Sequence, residues 1–235
     1  DEWPRNLIGF MKENKLEGNV YHPYGWGGYV AWESKRPIFL NAATADLGGD
    51  AFWDGIDFEE GERVEEIIKK YGLSLIIAPP WMPLPYMLSL KDDWALVYWD
   101  NFGTIFAKKG YGNDEAISKY VLDIKYFNDS VEGQLKKYKP EEVSKLIRNY
   151  KEAIERRPDL LLARYRLGLI HQLSGDCLQA IERYRELLDI DQKLGSAHFR
   201  LAECYQRTGD LRSALSEKEL AEKFEGKEVW WKGRR

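Results

Sequence analysis

The chain has 235 residues with a net charge of −4, 44% hydrophobic and 31% charged, the balance of a water-soluble globular protein. No apolar run approaches the ~18 residues of a membrane span, and a net negative charge gives no footprint for nucleic acid. Two cysteines, Cys177 and Cys204, are too few for a disulfide framework or a zinc site. The length allows one large domain or two ordinary ones, and the acidic excess lies in residues 1–140.

In chain order, Trp3 to Asn14 reads as a short amphipathic helix with Leu7, Ile8, Phe10 and Met11 apolar and Pro4 near its start. Asn19 to Tyr21 reads as a strand leading into Val20–Trp32, where Gly25, Gly27, Gly28 and Pro23 lie among Tyr21, Tyr24, Trp26, Tyr29 and Trp32. Glycine permits close approach and positive φ, and Pro23 holds His22 extended. This stretch is therefore expected to be a tight, aromatic-walled turn, with Tyr29-Val30-Ala31-Trp32 leaving it as a strand. Its candidate binding residues are Tyr24, Trp26, Gly27, Gly28, Tyr29 and Trp32. Pro37 to Leu40 reads as a buried strand and Asn41 to Asp57 as a loop. Gly61 to Tyr71 reads as a helix stopped by Gly72, and Leu73 to Ala78 as a second buried strand. Strand, helix and strand imply a βαβ unit with parallel pairing. Pro79, Pro80, Pro83 and Pro85 punctuate a loop, and Trp94–Trp99 with Thr104–Ala107 form a β-hairpin turning at Asp100–Gly103. The fold class is thus an α/β domain over 1–112, with a mixed sheet and a C-terminal hairpin. A helical linker follows over 113–139.

The order Gly-x-Val-Tyr-x-x-Tyr-Gly-Trp-Gly-Gly-Tyr, an Arg-Pro strand, a helix ending Tyr-Gly, an apolar strand and Trp-x-Leu-Val-Tyr-x-Asp runs through residues 1–110. In this it resembles the soluble C-terminal domain of bacterial polytopic membrane glycosyltransferase-like proteins, related to the dolichyl-phosphate-mannose-type transferases. Tyr24, Trp26, Gly27, Gly28, Tyr29 and Trp32 match the glycine turn of that family. Asn41-Ala42-Ala43 stands where the family carries Asp-Gly-Arg. The resemblance implies a non-catalytic extramembrane accessory module on the periplasmic side of the inner membrane, attached through an N-terminal portion that this chain lacks. A fainter similarity in order, Pro23–Gly27 then Asn41–Thr44, is to oligosaccharyltransferase catalytic subunits, without their Asp.

The rest of the chain repeats itself. Shifted by 34 residues, Leu167 falls on Leu201, Gly168 on Ala202, Gly175 on Gly209, Asp176 on Asp210 and Ala180 on Ala214. That period, with small residues at these points, is the tetratricopeptide (TPR) signature. About two and a half repeats over 140–226 are expected as helices near 140–156, 160–173, 177–190, 194–207 and 211–224. Residues 227–235 form a tail whose Trp230-Trp231 caps the last pair. The resemblance to tetratricopeptide proteins implies a groove for a protein partner lined by Arg164, His171, His198 and Tyr205.

Other candidate sites are weaker. Asp46, Asp50, Asp54, Asp57, Glu59, Glu60 and Glu62 offer oxygen ligands, but without the spacing of a calcium loop, and acids suit a helix start. His22 has no nucleophile beside it, and no phosphate-binding glycine loop occurs. No metal, cofactor or catalytic residue is therefore expected. Trp53 and Trp81, placed in loops, are candidates to stack on a sugar. Cys177 and Cys204 should lie at similar heights on neighbouring helices. Two buried free thiols are expected, because a helix-pair spacing of about 8–10 Å is usually too wide for a disulfide. The reading is a protein-binding accessory module; the alternative is a carbohydrate- or acceptor-binding domain using the aromatic turn.

Overall fold

Six consecutive apolar or small residues, Leu73–Ala78, form the central strand of the first half (β2) and are buried on both faces. In the computed structural model, residues 3–35, 38–39, 49–125 and 135–225 are described. The chain divides into two units, Asp1–Asn128 and Asp129–Arg235.

In the first unit β1 (Asn19–Tyr21), β2, β3 (Trp94–Trp99) and β4 (Thr104–Lys108) make a four-stranded sheet in the order β1-β2-β4-β3. β1 and β2 are parallel, with Tyr21 opposite Ile76. β4 runs antiparallel to β2 and to β3, with an irregularity between Leu96 and Tyr98. The expected hairpin is therefore present. The parallel partner of β2 is β1, not the segment 37–40: Ile38 and Phe39 are not in a strand, and Pro37 and Leu40 lie outside the described residues.

The side chains alternate across the sheet. Leu75, Ile77, Val97 and Ile105 form one core with Leu7, Ile8 and Met11 of α1 (Arg5–Glu13), Val30, and Ala116 and Ile117. Ala116 and Ile117 belong to α6 (Asp114–Tyr120), which packs on β3 within the first unit. Asn113 ties this segment down, accepting from the Glu17 amide and donating to the Glu17 carbonyl, at 2.8 and 2.9 Å.

Four further expectations change. Residues 24–34 are a 3-10 turn (Tyr24–Trp26) followed by α2 (Gly27–Ser34), not a turn and a strand. Gly27 is helical at φ −54, and a Cβ on Gly28 would meet open space, so neither position needs glycine for its backbone. α2 forms because Val30 drops into the core and Tyr29 meets Trp3, contacts that outweigh the poor helix propensity of two glycines. The expected loop 41–57 ends in α3 (Asp50–Glu60), while Asn41–Ala43 lie outside the described residues. The helix expected from Gly61 begins later, as α4 (Val64–Tyr71), with Arg63 at its N-cap in a left-handed conformation. The proline loop holds α5 (Pro83–Ser89), with Pro83 and Pro85 in its first turn, where a missing N–H costs least.

Asp54 links α3 to α4. It is 3% exposed and accepts from Arg63 (2.9 Å), Lys70 (2.6 Å) and the Tyr71 hydroxyl (2.8 Å). Burial disfavours its charge, but those three donors hold its carboxyl below the usual range.

The second unit contains α7 (Pro140–Arg156), α8 (Leu161–Leu173), α9 (Cys177–Ile190), α10 (Gly195–Thr208) and α11 (Leu211–Phe224), within a residue of the bounds read from the period. The 34-residue shift also holds for the caps. Gly175 and Gly209 have φ of 87° and 86°. The Asp176 amide bonds the His171 carbonyl at 2.9 Å, and Asp210 bonds Tyr205 at 3.0 Å. The Asp176 and Asp210 carboxylates each accept the amide three residues on, at 3.1 Å, so each second helix starts on the same N-cap. Gly168 packs against the Tyr184 ring, and Tyr184 in turn donates to Gln172 at 2.9 Å. This unit is an array of helices that repeats every 34 residues. Cys177 and Cys204 are free, buried thiols; burial first, and then the neighbouring Cys177, push the Cys204 thiol well above its ordinary range. The tail 227–235, with Trp230-Trp231, lies outside the described residues.

Candidate functional site

The six aromatic-turn residues do not share one pocket. The Tyr24 amide donates to Glu59 at 2.9 Å, and its ring meets Phe52 of α3 edge-on at 6.0 Å. Trp26 turns inward to the core, against Gly103. Gly27 is buried. Tyr29 stacks on Trp3 with ring centroids 5.5 Å apart, and Trp32 is 70% exposed with the Lys35 ammonium 4.3 Å from its ring. Trp53 stands out from α3, 61% exposed, rather than from a loop. His22 is 1% exposed with Nδ1 3.0 Å from the Pro23 carbonyl, and burial lowers its pKa. It is a core histidine at the end of β1.

In the repeat unit, Arg164, His171, His198 and Tyr205 fall into two pairs related by the period, Arg164 with His198 and His171 with Tyr205. The structure places them against a neighbouring second helix or the loops between helices. Arg164 donates to the Pro158 carbonyl at 3.0 and 2.8 Å and pairs with Glu186 at 3.4 Å. His171 is 7% exposed, 3.8 Å from Asp176, and burial lowers its pKa. His198 sits 2.6 Å from Glu217 of α11 and 3.0 Å from the Gln192 carbonyl. Tyr205 is 5% exposed under Arg185. His171, His198 and Tyr205 are buried, and Arg164 is half-buried.

The open surface lies one residue away, on Phe199, Glu203 and Gln206 of α10, whose 34-residue equivalents are Tyr165, Leu169 and Gln172 of α8. Steps of three and four keep each row on one helix face. Leu169 and Gln172 are buried, whereas Phe199 is 50% exposed. The rows are joined: Arg200 donates to the Tyr165 hydroxyl at 3.3 Å and to Glu203 at 2.9 Å, and Gln172 donates to Glu203 at 2.9 Å. Burial opposes the Arg200 charge, but Tyr165 and Glu203 more than restore it. The result is a firm polar floor beside an exposed aromatic ring. The signal was in the period itself, since Phe199 falls on Tyr165 in the same 34-residue shift.

No family model matches the chain, and no curated protein matches it. Among solved structures, one of MamA is 25% identical and covers 37% of this chain and 51% of that chain, with a TM-score of 0.35. The Yersinia enterocolitica type III secretion translocator chaperone SycD is 21% identical and covers 45% and 82%, with a TM-score of 0.36. SycD in complex with a peptide of the translocator YopD is 20% identical and covers 42% and 76%. The chain spans about half the length of the MamA chains it matches.

Proposed function

We propose that the chain is a non-catalytic protein-interaction module whose repeat unit holds a peptide segment of a partner on the row Phe199, Glu203 and Gln206, with Tyr165 and Arg200 at its side. The observation that carries this reading is Phe199, a large apolar ring half exposed above side chains that are hydrogen-bonded to one another. Such a floor loses little freedom when it binds, and an aromatic ring beside Arg is the composition of interface hot spots. The motif order of residues 1–110 supports the finer reading, an extramembrane, periplasmic-side accessory part of a glycosyltransferase-like membrane protein. No helix among the described residues is long and apolar enough to cross a membrane; apolar segments of about 20 residues encoded before Asp1 in the full gene would support this finer reading, and their absence would count against it.

The test of the interaction reading is peptide-library binding by the full chain and by Phe199→Ala and Arg200→Glu. Both substitutions are expected to weaken binding at least about tenfold, as loss of a hot spot does, with the far-UV circular dichroism unchanged. Binding that survives both and is lost with Trp32→Ala would move the site to the aromatic stretch, as a glycan- or acceptor-binding domain requires.

A further inference from the structure

The first unit carries a surface that the peptide-binding reading does not use. α1 and α2 lie side by side and run in the same direction: Trp3 meets Tyr29 near one end, and Lys12 bonds Glu33 at 2.8 Å near the other. Tyr29, Trp32 and Glu33 stand at i, i+3 and i+4, so they occupy one face of α2. Trp3 is 42% exposed and Trp32 70%. The rings form an outward ledge on a helix surface rather than the walls of a pocket.

Lys12, Lys15 and Lys35 stand beside the ledge, with Glu33 and Glu17 among them. Lys12, first by its hydrogen bond, then Lys35 and Arg5 act together on the Glu33 carboxylate and hold it below its usual range. Lys12 thus pairs with Glu33, while Lys35 and Arg5 act on the same carboxylate from farther away. Lys35 folds back over Trp32, its ammonium 4.3 Å from the ring centroid. Next to the Lys12–Glu33 pair, a cleft of about 370 Å³ has Ile8 and Met11 in its lining, with Lys12, Lys15, Glu17 and Ser34.

From this juxtaposition we infer that the ledge of Trp3, Tyr29 and Trp32, flanked by Lys12 and Lys35, seats the first unit on an anionic lipid surface. Tryptophan and tyrosine are amphipathic rings that favour the headgroup level, and lysine stems lie along apolar material while their charges reach phosphate. A bound sugar is ordinarily held in a concave site with a facing wall, and here the most exposed ring, Trp32, stands on the outside of a helix. A protein partner would have to match the spaced charges of Lys12, Glu33 and Lys35 one by one. A sheet of anionic headgroups needs no such specific register.

The experiment uses the full chain and unilamellar vesicles, either all phosphatidylcholine or with about one-third phosphatidylglycerol, a surface dense enough in charge to attract clustered lysines. The chain is expected to sediment with the anionic vesicles and to do so less as salt rises, since exposed charges are screened. Trp32→Ala should lower partitioning about tenfold, the worth of one large side chain removed from an apolar environment. Lys35→Glu should lower it on anionic vesicles by a similar factor, because an attraction to the headgroups becomes a repulsion. Phe199→Ala should leave it unchanged, which separates this inference from the peptide-binding reading. Sedimentation with neither vesicle, or binding untouched by Trp32→Ala and Lys35→Glu together, overturns it. So does quenching of the tryptophan emission by a soluble glycan in a chain that ignores both vesicles.

Discussion

A single added methyl group at Gly168 measures how tightly the repeat helices are locked. A Cβ built there would lie 2.7, 2.9 and 3.0 Å from Cε1, Cδ1 and Cζ of Tyr184. The ring has no room to withdraw, because Tyr184 is fully buried and its hydroxyl is held by Gln172 at 2.9 Å. Forcing it aside costs about 1–3 kcal/mol in overpacking, and straining the hydroxyl bond adds about 1. Replacing glycine by alanine inside a helix returns about 1 kcal/mol. Gly168→Ala is therefore expected to destabilise the repeat unit by about 1–3 kcal/mol. One period later, Ala202 stands where Gly168 does and Lys218 where Tyr184 does, so no buried ring demands a glycine there. Ala202→Gly should destabilise as well, by about 1 kcal/mol of helix propensity. Urea denaturation followed by far-UV circular dichroism gives both values, fitted with separate transitions for the two units if they unfold apart. The cost of Gly168→Ala should shrink in a Tyr184→Leu background, which opens the space. An unchanged or raised midpoint for Gly168→Ala in the native background would refute the argument.

Ile181 is 8% exposed and its 34-residue equivalent Leu215 is 62% exposed, so Ile181→Ala should cost about 2 kcal/mol and Leu215→Ala less than about 0.5, read from the same melts. His171 has its pKa lowered by burial from the ordinary 6.5. Its neutral form is the folded one, so this contribution to stability is complete above about pH 6.5 and is lost as pH falls through the lower folded value; His171→Gln should flatten the pH dependence of the melting temperature there. Asp54, depressed below 3.8, contributes stability above that pH that disappears on further acidification, and Asp54→Asn should lower the melting temperature of the first unit at pH 7. Cys177 and Cys204 should resist alkylation in the native protein and give two thiols after denaturation without reductant; a count of zero in a monomer would reveal a disulfide instead.

The repeat half was legible because its determinants are local and recur. A left-handed glycine, an aspartate N-cap and a small helix-packing residue each act within a few residues of where they stand, and each reappears 34 positions later at Gly175 and Gly209, Asp176 and Asp210, Gly168 and Ala202. The hairpin of β3 and β4 was legible for the same reason, through two apolar runs around Asp100–Gly103. Residues 27–34 were not: two glycines and two aromatics carry no helical period, and the segment is helical only because Val30 finds the sheet core and Tyr29 finds Trp3. Proline spacing alone likewise could not separate a loop from α5. The sequence showed which residues of the repeats recur, but not which of them stay open to a partner. His171, His198 and Tyr205 stand at repeated positions as Phe199 does, yet they are buried, His198 beside Glu217 of α11 and Tyr205 under Arg185 of α9. Periodicity determines which helix face a residue occupies, and only the packing of the neighbouring helices decides whether that face meets water.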